Sequence, residues 1–411
     1  TNWITEPSIE YIDADATLQG QADLQSRMTV NSSVGIENPE YTTVGIYRSL
    51  FEIMREGLGE QAFIHERIMG PATLMNSHTP ATDATAGIVD LQRVWTDSSF
   101  LAPEHISRMG VRWYKARKVV NYYPDSRSFW VPNRNTETTL PAHLETVEST
   151  TGETLTVLPA YLRQSLLTQL ALVPGRVELA SSFTHMTDEM IHDLTRVFPA
   201  IDGRQSPRPV DLLTSELDPE VYRYDAGDGC YKVMIVNNQY AANVEVAMNA
   251  DPSRRIMKVS MAANSAEEGG LELDSDAHYH LFEFWSQRYL GRLSSEGDLS
   301  VELRPGETAM INLQQVVDHP QVIGSNRHFM QGMYELDDVR WSESENSLSG
   351  TLDIVADDPV VITVARNGVM GHAELLAEDA DIEIHEVSDD MLQLQFSSSE
   401  SRTISWALSF K

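Results

Sequence analysis

The stretch that most constrains this chain is Gly87-Ile88-Val89-Asp90-Leu91-Gln92-Arg93-Val94-Trp95-Thr96-Asp97. An apolar run closing in Asp, Arg and Asp predicts a buried strand over Gly87–Val94 that delivers charged side chains at its C-terminal tip. That is the end at which α/β barrels keep their chemistry. A buried Asp/Arg pair is also a common structural salt bridge, so charge alone does not assign catalysis.

The segments around it alternate in type. Residues 9–15 form a short strand candidate in which Asp13 and Asp15, spaced i and i+2, share one face. Tyr47–Leu58 places Leu50, Phe51, Met54 and Leu58 at helical spacing, with Gly59 as a C-terminal stop. A strand is expected over Ala62–His65, a helix over Ala102–Arg117 opened by Pro103, and a strand running into a turn over Lys118–Asp125. Leu158–Leu172 reads as a helix, Arg176–Ala180 as a strand, and Thr187–Phe198 as a helix with Thr187 as N-cap. Strand and helix in turn imply parallel strands joined by crossover helices.

Near Pro207–Pro219 the pattern changes to short alternating runs separated by Gly, Asn and Asp turns, which predict antiparallel sheets. A second break falls at His319-Pro320. The expected organisation is an α/β segment over 1–213, a β-sandwich over 214–318 and a second β module over 319–411.

Composition excludes several partners. With 61 acids against 30 basic residues, the formal charge is −31, so nucleic acid and anionic membrane surfaces would repel the chain. Only five of the basic residues are lysines, a skew that fits a halophile-like surface whose self-repulsion concentrated salt would screen. The other reading is an ordinary acidic secreted protein. One cysteine, Cys230, rules out an internal disulfide framework and a Cys-rich metal site. No segment approaches 18 consecutive apolar residues, which predicts a soluble chain of undetermined location, cytoplasmic or secreted. There is no dinucleotide fingerprint, phosphate loop or nucleophile elbow. His278 and His280 share a strand face, but no third ligand accompanies them and a surface pair is the simpler reading.

Five segments, in order, resemble the α-galactosidase (melibiase) clan of retaining glycoside hydrolases. They are Tyr47-Arg48 with Ile53–Gly59, Val89-Asp90 with Arg93 and Asp97, Asn121 with Pro124-Asp125, Phe282–Trp285 with Leu290-Gly291, and His319-Pro320 with Gly324 and His328. The resemblance implies a (β/α)₈ TIM barrel, of which this sequence carries the later strands only, followed by antiparallel β-sandwich structure. The first three strands are expected upstream of Thr1 or in another chain. It further implies Asp15 as nucleophile and Asp97 as acid/base, acting on a glycoside or oligosaccharide without a cofactor or metal. Arg93 would lie near the sugar and Asp97, Asp90 would position hydroxyls or pair with Arg93, and Asn121 and Asp125 would match a turn at a strand end. Trp95 would stack on the sugar or pack in the core, and a homo-oligomer is compatible with this reading.

Two departures matter. Asp13 stands where the family has a lysine that bonds the sugar and keeps the nucleophile ionised, and a like charge there raises a carboxylate's pKa. His65-Glu66-Arg67 stands in place of the family's Cys- and Gly-rich substrate loop, with Arg67 as the candidate substitute cation. The competing expectations are a carbohydrate-binding protein that kept the fold without catalysis, and an enzyme for another sugar: an α-glucoside, an N-acetylgalactosaminide or a β-L-arabinopyranoside.

Overall fold

A computed structural model describes residues 2–3, 11–15, 43–67, 85–93, 103–124, 126, 128–129, 145–203, 205–215, 218–238, 254–274 and 276–411. The chain divides into two compact units. One comprises Thr1–Asn133, Gln169–Ser181 and Asp202–Ser206; the other comprises Arg134–Thr168, Ser182–Ile201 and Pro207–Lys411.

The first unit holds a five-stranded sheet of β1 (Asn2–Trp3), β2 (Tyr11–Asp15), β3 (Phe63–Arg67), β4 (Leu91–Arg93) and β5 (Asn121–Tyr123), in that spatial order. Strands β2 to β5 are parallel, and β1 adds an antiparallel edge that pairs Asn2 with Asp13. Helix Thr43–Leu58 connects β2 to β3, and helix Pro103–Gly110 connects β4 to β5. Parallel neighbours that follow chain order without reversal are the arrangement of a (β/α) barrel wall, whereas a doubly wound sheet reverses its order at a switch point. The fold class read from the sequence is therefore present in this unit as consecutive parallel strands.

Local chemistry sets the element ends. Gly59 adopts φ +87° and its N–H returns to the Arg55 carbonyl at 2.8 Å, closing helix Thr43–Leu58 where glycine alone is unstrained. Three expectations are corrected. The strand expected over Gly87–Val94 begins only at Leu91 among the described residues, because the Thr85 carbonyl accepts from both Ile88 N (2.9 Å) and Val89 N (3.2 Å) and turns the chain. The helix expected to reach Arg117 stops at Gly110, after which i→i−3 bonds from Arg112 and Trp113, both 3.0 Å, tighten it into turns. Arg176–Ala180 carries a single bridge position, at Leu179, in place of a strand.

The second unit opens on the hairpin β6 (Glu145–Glu148) and β7 (Thr154–Val157). Helix Ala160–Leu172 follows, up to Thr168 in this unit, and then helix Asp188–Thr195, whose N-cap Thr187 accepts from Met190 N. Arg163 joins the two helices by a 2.7 Å ion pair with Asp193, both side chains being almost completely buried.

Two β modules complete this unit. The first contains β8 (Arg208–Pro209), β9 (Val221–Gly227), β10 (Cys230–Val236), β11 (Arg255–Ser260), β12 (His278–Glu283), β13 (Arg288–Ser294), β14 (Asp298–Leu303) and β15 (Thr308–Gln315). Its six-stranded antiparallel sheet runs β13-β12-β15-β10-β9-β8, and β11 pairs with β14. Alternate residues Val233, Ile235, Tyr279, Leu281, Ile311 and Leu313 build the core with Met257, Val259 and Leu299 of the smaller sheet.

The second module contains β16 (Gln321–Ser325), β17 (Leu336–Ser342), β18 (Ser347–Ile354), β19 (Val360–Ala365), β20 (Ala373–Ala377), β21 (Asp381–Ser388), β22 (Met391–Ser397) and β23 (Arg402–Phe410). These form two four-stranded sheets, β16-β19-β22-β21 and β17-β18-β23-β20. Period-two rows such as Leu392/Leu394/Phe396 and Ile404/Trp406/Leu408 fill the space between them. The modules are joined through the outer face of β12 and β15, where Phe282 packs with Ile323 and Asn312 Nδ2 donates to the Ile323 carbonyl at 2.8 Å. Among the described residues no helix is long and apolar enough to cross a membrane.

Candidate active site

The candidate site lies along the parallel strands of the first unit. The β2/β3 register pairs Asp13 with His65 and Asp15 with Arg67; β3/β4 pairs His65 with Leu91 and Glu66 with Gln92; β4/β5 pairs Arg93 with Tyr123. Register partners in a parallel sheet occupy the same face, and neighbours along a strand alternate. The positions Asp13, Asp15, His65, Arg67, Arg93 and Tyr123 thus fall on one face, with Asp15, Arg67, Arg93 and Tyr123 at the C-terminal ends of four consecutive strands. Glu66 and Gln92 belong to the opposite face.

The described side chains agree with this division. His65 is buried with its ring edge-on to Tyr123, centroids 4.7 Å apart, and the Arg176 guanidinium stands 6.0 Å from the centre of the same tyrosine ring. Arg93 is 1% exposed, so a cation is held inside the structure at a strand tip. Glu66, wholly buried, accepts from Thr85 Oγ1 and, at 3.0 Å, from Gln92 Nε2. Its carboxylate fastens the β3–β4 pair from the far face.

Asp90 sits at the other end of β4. Its Oδ2 accepts from Arg55 Nη2 and Ile64 N, each at 2.7 Å, so it pairs with Arg55 of helix Thr43–Leu58. Asn121 opens β5, is exposed, and donates through Nδ2 to the Asp90 carbonyl at 3.3 Å. Trp95, Asp97 and Asp125 lie outside the described residues, as do the side chains of Asp13, Asp15 and Arg67. Sequence reasoning missed Tyr123, Arg55, Thr85 and Gln92. For Tyr123 a signal existed, since it stands two residues after Asn121 and shares its face. Among the described residues no group of three His, Cys, Asp or Glu side chains could hold a metal ion. His280 instead engages the Tyr289 hydroxyl (2.9 Å) and Asn367 Oδ1 (2.8 Å).

The first unit is thus a parallel α/β sheet carrying a polar row at its strand tips. No protein-family model matches the chain, and no curated protein does. Among solved structures it is similar to the GH27 β-L-arabinopyranosidase of Geobacillus stearothermophilus in complex with arabinose, at 14% identity and TM-score 0.43, over 66% of this chain and 55% of that one. It is also similar to α-galactosidase I of Mortierella vinacea, at 10% identity and TM-score 0.45, over 74% and 75% of the two chains. The α-galactosidase of Saccharomyces cerevisiae with raffinose aligns at 9% identity and TM-score 0.41, over 74% and 79%. The chain spans about half the length of the arabinopyranosidase. At these identities no residue role passes from those enzymes to this chain.

Proposed function

We infer that the chain is part of a retaining α-glycosidase of the α-galactosidase type, acting on a terminal neutral sugar by double displacement. The observation that carries the reading is the register of β2 on β3, which sets Arg67 beside Asp15 at the strand tips. Adjacent strands lie about 4.8 Å apart, so a guanidinium-bearing residue is the immediate neighbour of the proposed nucleophile. A cation there favours the ionised carboxylate and offsets the like charge that Asp13 introduces two residues earlier.

In the first step Asp15 attacks the anomeric carbon while Asp97 protonates the departing glycosidic oxygen. In the second, Asp97 takes a proton from water, which displaces Asp15 from the glycosyl-enzyme and restores the original configuration. Buried Arg93 places positive charge at the same level of the sheet, where it stabilises carboxylates rather than a cationic sugar. His65, edge-on to Tyr123, lies on the same face as Asp15 and is the aromatic neighbour of the site in this reading.

The test is hydrolysis of a panel of aryl α-glycosides in high salt by the chain and by Asp15→Ala and Asp97→Ala. The reading expects cleavage of one sugar and a loss of roughly 10³-fold or more in each variant. Sugar binding without cleavage of any member favours the non-catalytic carbohydrate-binding protein instead.

A further inference from the structure

Lys232 on β10 is 1% exposed. Its ammonium donates to Asn312 Oδ1 at 2.7 Å and to the Gln331 carbonyl at 2.9 Å, both neutral oxygens, leaving one N–H unused. No carboxylate among the described residues forms an ion pair with it, although the chain carries 61 acids. A buried ammonium without a counter-charge is costly. Gln331 beside it is 4% exposed, holds φ +44° in the left-handed region that a non-glycine residue adopts at a cost, and leaves Oε1 without a hydrogen-bond partner. A buried donor, a buried acceptor and a strained backbone thus converge at one point.

That point opens on a cavity of about 610 Å³ between the two β modules. Lys232, Asn312 and Gln331 line one part of it, and His319 and Trp341, stacked with rings 1° from parallel, line another. Its other charged lining residues, Asp228, Asp337, Asp338 and Arg340, are all solvent-exposed. There water and salt screen them, while the interior cation is not screened.

We propose that this cavity is a binding site for a monoanionic sugar acid of the uronate type. The carboxylate takes the third N–H of Lys232, and the ring lies against the His319–Trp341 wall. A charge-assisted hydrogen bond to the buried ammonium supplies the affinity. The site shares no residue with the strand tips and stands whatever their activity.

The experiment is calorimetric titration of the full chain with D-galacturonate and D-glucuronate, repeated on Lys232→Met and on Asp15→Ala. The expected result is binding of one uronate that weakens about tenfold or more in Lys232→Met, is unchanged in Asp15→Ala, and resists displacement by tenfold excess of the corresponding neutral sugar. Absence of uronate binding, a dissociation constant unaffected by Lys232→Met, or loss in Asp15→Ala overturns the proposal. Should Lys232→Met fail to fold, Trp341→Ala replaces it. A weakening of about fivefold is expected, and an unchanged constant overturns the site.

Discussion

Asp15 and Arg67 are register partners at the C-terminal ends of two adjacent parallel strands. Beside them, Arg93 pairs with Tyr123 at the ends of the next two. The row combines an acid with two cations and an aromatic ring, and the strand ladder alone brings these residue types together.

The two faces of β3 separate function from stability. His65→Ala removes the ring that meets Tyr123 and is expected to lower kcat/KM about tenfold or more, as loss of a sugar contact does. Glu66→Gln disrupts the buried network with Thr85 and Gln92, and is expected to cost about 1–3 kcal/mol of stability with kcat/KM changed less than about threefold. Steady-state kinetics and urea unfolding of both variants check this. The reverse pattern contradicts the face assignment.

Arg163 holds Asp193 across two helices through both Nε and Nη2, each at 2.7 Å, with both side chains buried, and Gln164 Nε2 adds a third contact to that carboxylate at 3.1 Å. Arg163→Met strands the acid and is expected to destabilise the second unit by about 3–5 kcal/mol, most of which Asp193→Leu in the same chain recovers. Denaturant midpoints of the single and double variants test the pair. A single variant within about 1 kcal/mol of the parent would mean water reaches Asp193.

His328 is a buried imidazole held neutral: Nε2 donates to the Pro199 carbonyl at 3.0 Å and Nδ1 accepts from Met330 N at 3.2 Å. Burial, opposed by the nearby Glu335 carboxylate, pushes its pKa down to about 4. The unfolded chain, with an ordinary histidine near 6.5, therefore takes up a proton first as pH falls. Stability from this residue is complete above about 6.5 and is lost as pH drops towards 4, by up to about 3 kcal/mol. Unfolding free energies from pH 7 to 4 should show this slope, and His328→Gln should flatten it. An unchanged slope would assign the acid lability elsewhere.

The acidic, lysine-poor surface predicts a thermal midpoint that rises from low to molar salt, because screening relieves repulsion among the 61 carboxylates. Thermal scans across salt concentration measure it, and a flat response removes the halophile reading.

What the sequence made legible follows from local signals. Gly59 as a helix stop, Thr187 as a cap and the period-two rows of the β modules act over a few residues, and each is found where its pattern places it. The apolar run at Gly87 misled because burial is not extension. Ile88 and Val89 are buried in a turn, so Asp90, read as a tip residue, pairs with Arg55 at the start of β4. Lys232 and its partners were illegible for a different reason: Asn312 and Gln331 are 80 and 99 residues distant from it in the chain, and tertiary packing alone brings them together.

The most direct test of the double-displacement assignment is the product formed when Asp15→Ala is supplied with azide and an activated aryl α-glycoside. The account predicts restored turnover and a glycosyl azide of inverted, β configuration, since azide enters the space the Asp15 carboxylate vacates while Asp97 remains in place. Failure of azide to restore turnover in a folded Asp15→Ala, or an azide product of retained configuration, would contradict it.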